Sequence, residues 1–211
     1  MDWQLMFLMF VTLLISLTFH EAAHAWFAMV LGDRTAYRAG QVTLNPLPHM
    51  QREPFGMVLL PVISLYVSHG QSAFGFAHAP IDPFWAERNP GRAALMSFAG
   101  PLANFALVAI AWVVLWQIGN PDSDAQRTIV KIAKAFLFLN LLLGCFNLLP
   151  VPPLDGAGIT RGLIPATGRS FDAFLQVPYL PFLAILALSY WLSPLVDDLY
   201  WTLLRMAGAL W

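Results

Sequence analysis

The chain has 211 residues, 58% of them hydrophobic and only 11% charged, with a formal net charge of −1 and a mean hydropathy of +0.64. That composition excludes an ordinary soluble domain and reads as a single membrane-embedded domain, residues 1–211, of about four to six helical segments with no room for a soluble accessory domain. The near-neutral balance shows no basic patch and excludes nucleic acid as a partner, while the one cysteine, Cys145, excludes an internal disulfide and reads as packing.

The first apolar run, Trp3 to Leu31, would extend ~43 Å as a helix and so tilts in, or projects from, a ~30 Å hydrocarbon core. It is not read as a signal peptide, because acidic Asp2 stands where a basic region belongs and the run is too long. Gly32-Asp33-Arg34 ends it. Residues 33–53 are turn-rich, with Gly40 to Leu44 expected as a short strand. Residues 54–69 are apolar but short and interrupted by Pro61, so a re-entrant or interfacial segment is expected there. After a loop holding a second strand-like stretch, Phe74 to His78, come spans at about 93–118 and 128–150. Pro150, Pro152 and Pro153 break the latter. A last span is expected at 174–192, and residues 193–211, with Asp197, Asp198 and Arg205, read as an interfacial helix. The fold class is therefore all-α and polytopic, with a three-helix core (about 3–31, 93–118 and 128–150) and small strand-like loops.

Within the first run stands His20-Glu21-Ala22-Ala23-His24, an H-E-x-x-H pattern on a helix. Four residues apart, His20 and His24 lie on one face and can share a metal ion. Glu21, rotated about 100°, sits beside that ion rather than on it and can take a proton from water there. In a soluble helix the pattern arises by chance often enough to carry little. In an apolar span, two histidines and a carboxylate have no water to satisfy them, which favours a metal or proton-handling site. Asp155 is the candidate third ligand, since two histidines and a carboxylate make a common catalytic zinc set; the lesser reading, on its own, is a capping or interfacial residue.

Charge distribution fits this geometry. His20 and His24 lie past the middle of their span and Asp155 just beyond the end of its own, so the two spans must run the same way, with 93–118 as the full crossing between them. Arg34, Arg38, Arg52, Arg88, Arg92, Arg161 and Arg169 then fall on the Leu31 side, against Arg127, Lys131, Lys134 and Arg205 opposite. The excess makes the Leu31 side cytoplasmic.

Three motifs in order, His20 to His24, then Gly100-Pro101-Leu102-Ala103-Asn104, then Asn147 through Gly156, resemble the site-2 protease family of intramembrane zinc metalloproteases. Gly40 through Pro46 and the run from Pro54 to Val67 resemble its compact bacterial branch, which lacks PDZ and CBS domains. The resemblance implies one Zn²⁺ per chain held by His20, His24 and Asp155, with Glu21 as general base and Asn147 touching substrate or steadying the oxyanion. Asn104 would line the same region or only bond helix to helix. It further implies transmembrane protein substrates within the lipid bilayer, an upstream site-1-type protease acting first, and a prokaryotic inner membrane location with the site nearer the cytoplasm. Two departures stand out: the branch often carries an aspartate two residues after the position of His49, where this chain has Gln51, and His78 occupies a position more often not histidine. His78 reads as a water-facing loop residue before an extra ligand, and His69 as interfacial. The alternative is a catalytically silent relative that binds transmembrane clients. A small ion-coupled transporter lacks the inverted repeats expected of one, and histidines on one face cannot clamp a haem from both sides.

Overall fold

In the computed structural model, which describes residues 2–70 and 72–210, four helices are long and apolar enough to cross a membrane: α1 (Trp3–Leu31), α6 (Pro90–Ile118), α7 (Asp124–Asn147) and α10 (Leu180–Met206). Between them lie α2 (Thr35–Arg38), α3 (Pro46–Arg52), a π-helical turn (Phe55–Leu59) running into α4 (Leu60–Val67), α5 (Pro83–Arg88), α8 (Asp155–Leu163), a 3₁₀ turn (Pro165–Thr167) and α9 (Gly168–Gln176).

Local chemistry explains the ends. Asp2 Oδ1 accepts from the amides of Gln4 and Leu5 to start α1, and Gly32, at φ +113°, closes it in the left-handed conformation that favours glycine. Ser123 Oγ accepts from the Gln126 amide, which places the start of α7 earlier than hydrophobicity alone suggests. Pro90 occupies the first position of α6, where its missing N–H is harmless.

α6 is the central helix, packed against α1, α7 and α8. On its far half Val108, Ala111 and Leu115 join Val130, Ala133, Leu137 and Leu141 of α7 and Val196 and Leu204 of α10 in one apolar cluster. A second cluster joins Met6, Met9, Leu13 and Leu17 of α1 to Met57, Leu65 and Leu139. The 55–67 segment thus lies on α1 as a short apolar helix, in keeping with its reading as a segment too short to span.

Two expectations are corrected. No strand forms among the described residues. From Gly40 to Leu44 the backbone makes a turn and bends, because its polar groups are claimed locally: the Gln41 amide donates to Ala36 O, His49 Nε2 donates to Thr43 O, and Thr43 Oγ1 accepts from the Asn45 amide. Phe74 to His78 forms no ladder: the Phe76 amide donates to Gly56 O and the Phe74 amide to the Ser64 hydroxyl. Nor does the last span end at residue 192. α10 continues through Pro194 to Met206, because Val196, Leu204, Ala207 and Ala209 bury themselves in the far cluster and Trp112 Nε1 donates to Leu203 O at 2.9 Å. Residues 193–206 thus continue the last long apolar helix rather than forming a separate interfacial one.

Candidate metal centre

His20 stands about 26 Å along α1 from Trp3 at ~1.5 Å per residue, and one turn later comes His24. Across from them α7 ends at Asn147, and the turn-rich 148–154 linker brings Asp155 in as the first residue of α8. Three glycines let α8 reach this position. A Cβ on Gly156 would press into the Leu148 and Leu149 carbonyls, one on Gly158 into Ser97 Oγ, and one on Gly162 into Pro90 O and Ala94 of α6. With Gly158 and Gly162 four apart, α8 seats a glycine face on α6.

The result is a converging donor set. His20 Nε2 lies 3.0 Å from Asp155 Oδ2, His24 Nε2 lies 3.2 Å from Asp155 Oδ1, and the two Nε2 atoms are 3.0 Å apart. Both histidines are buried. The opposite ring nitrogens decide what faces inward. His24 Nδ1 is 2.8 Å from the Met96 carbonyl, which can only accept, so that nitrogen carries the proton and Nε2 is bare. His20 Nδ1 is 2.6 Å from Asn104 Oδ1 and donates in the same way. These tautomers follow from the hydrogen-bond network. Two imidazole lone pairs and a carboxylate therefore point into one small space, and Asp155 Oδ2 has no hydrogen-bond partner among the described residues despite the His20 nitrogen 3.0 Å away. Electrostatically this is unfavourable without a cation. Two imidazoles and a carboxylate suit a catalytic divalent metal, and the residues fit it.

Gly100 completes the cradle. A Cβ there would overlap both Nε2 atoms, so only glycine lets α6 lie against the pair. Glu21 is buried beside them, and its Oε2 has no hydrogen-bond partner among the described residues.

Comparison with known proteins agrees with this arrangement. The model for peptidase family M50 matches residues 117–188, the part that carries Asp155. A protein of Bacillus subtilis (strain 168), provisionally named zinc metalloprotease YwhC, is 34% identical over 200 residues, covering 92% of this chain and 84% of the relative. The chain belongs to peptidase family M50, the site-2 protease family. The similarly named zinc metalloprotease Rip2 of Mycolicibacterium smegmatis is 32% identical over 193 residues, covering 89% of this chain and 70% of that one. Rip3 of Mycobacterium tuberculosis (H37Rv) is 29% identical over 154 residues, 73% of this chain but 30% of its own length. No solved structure matches.

Within this M50 chain, the site residues expected from sequence fall into two groups. His20, His24 and Asp155 come together, with Glu21 buried on the same turn of α1. Asn147 instead donates from Nδ2 to Leu143 O of its own helix. His49 is buried on α3, its Nε2 donating to Thr43 O, and His78 is surface-exposed, its Nδ1 3.9 Å from Glu53. Neither joins the cluster. Sequence reasoning missed Ser97 and Met96, which seat α8 and His24, and also Asn140 and Ser16, both fully buried and bonded to each other at 2.9 Å. An asparagine within the apolar run 136–143 was the available signal for Asn140.

Proposed function

We propose that this chain is an intramembrane zinc endopeptidase that hydrolyses peptide bonds within or near transmembrane helices of membrane-anchored proteins. The observation that carries the reading is the convergence of His20 Nε2, His24 Nε2 and the Asp155 carboxylate in a buried cluster within a bundle of membrane-length helices. His20, His24 and Asp155 would hold one Zn²⁺. That ion, when bound, supplies Lewis acidity, polarising the scissile carbonyl and making an attacking water acidic enough to ionise near neutral pH.

The chain's own residues do the rest. Glu21 accepts the water's proton on its free Oε2 and later returns it to the leaving amine. The Nδ1 hydrogen bonds to Asn104 and Met96 hold both imidazoles in the tautomer that keeps Nε2 available. Burial keeps bulk water out, which strengthens every charge interaction at the site. Asn147 is the candidate oxyanion donor, a role that requires its amide to leave the Leu143 carbonyl. A substrate helix has to unwind locally, because its peptide groups are engaged in their own hydrogen bonds.

Under this reading the whole of residues 1–211 acts as one domain in a prokaryotic inner membrane. The arginines of the Leu31 side support a site nearer the cytoplasm, and substrates would arrive after trimming by a site-1-type protease. Reconstitution with a single-span membrane reporter tests it. Wild type yields two fragments cut in or beside the span, and Glu21→Gln slows cleavage by about 10²–10⁴-fold while keeping its metal. Equal cleavage by Glu21→Gln, or a reporter that wild type binds and never cuts, would contradict the proposal.

A further inference from the structure

We infer that Asn140 is a positioning residue for the metal centre: acting through Asn104, it fixes which ring nitrogen of His20 carries the proton. This rests on the zinc reading above and adds a device to the same site. The two histidines are held differently. His24 is oriented by the Met96 carbonyl, a backbone acceptor that cannot reverse its polarity. His20 is oriented by a side-chain amide, Asn104, whose oxygen and nitrogen can exchange places by rotation.

Four hydrogen bonds prevent that exchange. Asn140 Nδ2 is 2.9 Å from Phe136 O and 2.9 Å from Ser16 Oγ. The Ser16 hydroxyl spends its only proton on Thr12 O, at 2.7 Å, and so accepts from Asn140. Both protons of the Asn140 amide are thereby committed, and its Oδ1 must face Asn104, whose Nδ2 donates to it at 2.9 Å. Asn104 is left with Oδ1 toward His20. The polarity of the whole chain is set at its far end by two backbone carbonyls, those of Phe136 and Thr12. Ser16, Asn104 and Asn140 are each 0% exposed, so water cannot substitute for a missing link.

Removing Asn140 frees Asn104 to present Nδ2 to His20. The His20 proton then moves to Nε2 and points into the ligand set, where it opposes a cation. His24 is unaffected, which gives an internal control.

The test uses the full chain in detergent. In wild-type metal-free protein, imidazole ¹⁵N resonances should show both His20 and His24 protonated at Nδ1. In Asn140→Leu, His20 acquires an Nε2-protonated population while His24 does not. Zinc affinity by chelator competition falls about 10–100-fold in Asn140→Leu, and Asn104→Asp in that background recovers most of it, because a carboxylate accepts from His20 in either orientation. A loss that Asn104→Asp does not recover makes Asn140 a packing residue and overturns the inference, as does unchanged affinity with an unchanged His20 tautomer. Should Asn140→Leu fail to fold, Ser16→Ala, which removes one acceptor, is expected to weaken zinc about threefold; no change there overturns it equally. If wild type holds no zinc, the functional proposal fails, and the His20 tautomer in metal-free protein still decides this one.

Discussion

The two halves of the helical bundle are built on opposite rules. On the far side, α6, α7 and α10 meet mainly through apolar side chains, with Leu115 and Leu137 both 0% exposed. On the Leu31 side α6 and α7 bury Asn104 and Asn140 against Ser16, His20, Glu21 and His24 of α1, and glycines at 100, 156, 158 and 162 stand where larger residues would otherwise pack. In the far half shape holds the helices together. In the near half close backbone approach brings polar groups into mutual reach, and a buried polar group left unpaired is costly. The comparison teaches that the site is carried by a scaffold whose stability comes mainly from elsewhere, so metal binding and folding should be separable by mutation.

The largest effect should come from Gly100→Ala. Its added methyl overlaps the Nε2 atoms of both histidines, so zinc content should fall by more than about 100-fold in affinity, more than a single second-sphere change, while helicity by circular dichroism persists. A zinc-replete Gly100→Ala would break the account of the near half. In the far half, Leu137→Ala should lower stability by about 2–5 kcal/mol, the range for a buried leucine, seen as a lower melting temperature in detergent with zinc affinity unchanged. Coupled loss of both would show that the halves do not separate.

The long helices and the meeting of His20 with His24 were legible in the sequence because each rests on a strong local signal: an apolar run of membrane length, or an H-E-x-x-H spacing that one helix converts directly into a shared face. Asp155 was legible because prolines 150, 152 and 153 deliver it to the end of a span. The extent of α10 was not, since Pro194 and Asp197-Asp198 look like a break and only the burial of Val196 and Leu204 against other helices keeps the helix going. The expected strands failed for the converse reason: side chains such as Thr43 and Asn45 satisfy the backbone locally. Asn140 and Ser16 show the sharpest limit. Their contact spans 124 residues, and nothing in either residue's neighbourhood says which polar group it will meet.

The smallest effect concerns the loop that joins the near half to the surface. Asp33 Oδ1 accepts from the Thr35 amide and hydroxyl, and Oδ2 accepts from the Asp82 amide, tying the end of α1 to the start of α5. Burial pushes the Asp33 carboxyl up, but these hydrogen bonds and nearby Arg38 outweigh it and hold the group below the usual carboxylate range. A carboxylate with a depressed folded-state pKa stabilises above its unfolded pKa, and that contribution is lost as pH falls through the folded value. Loosening of the 32–35 and 82 segments is therefore expected only below about pH 4, measurable as faster amide exchange there and not elsewhere. Asp33→Asn should abolish that acid dependence without touching zinc.

The account stands most directly on Asp155, which joins α8 to two histidines on α1. Zinc per chain, measured by elemental analysis on detergent-purified wild type and Asp155→Ala, tests it. One zinc in wild type and its loss in Asp155→Ala is the predicted result. Full zinc retained without Asp155, in a protein that still folds, would contradict it.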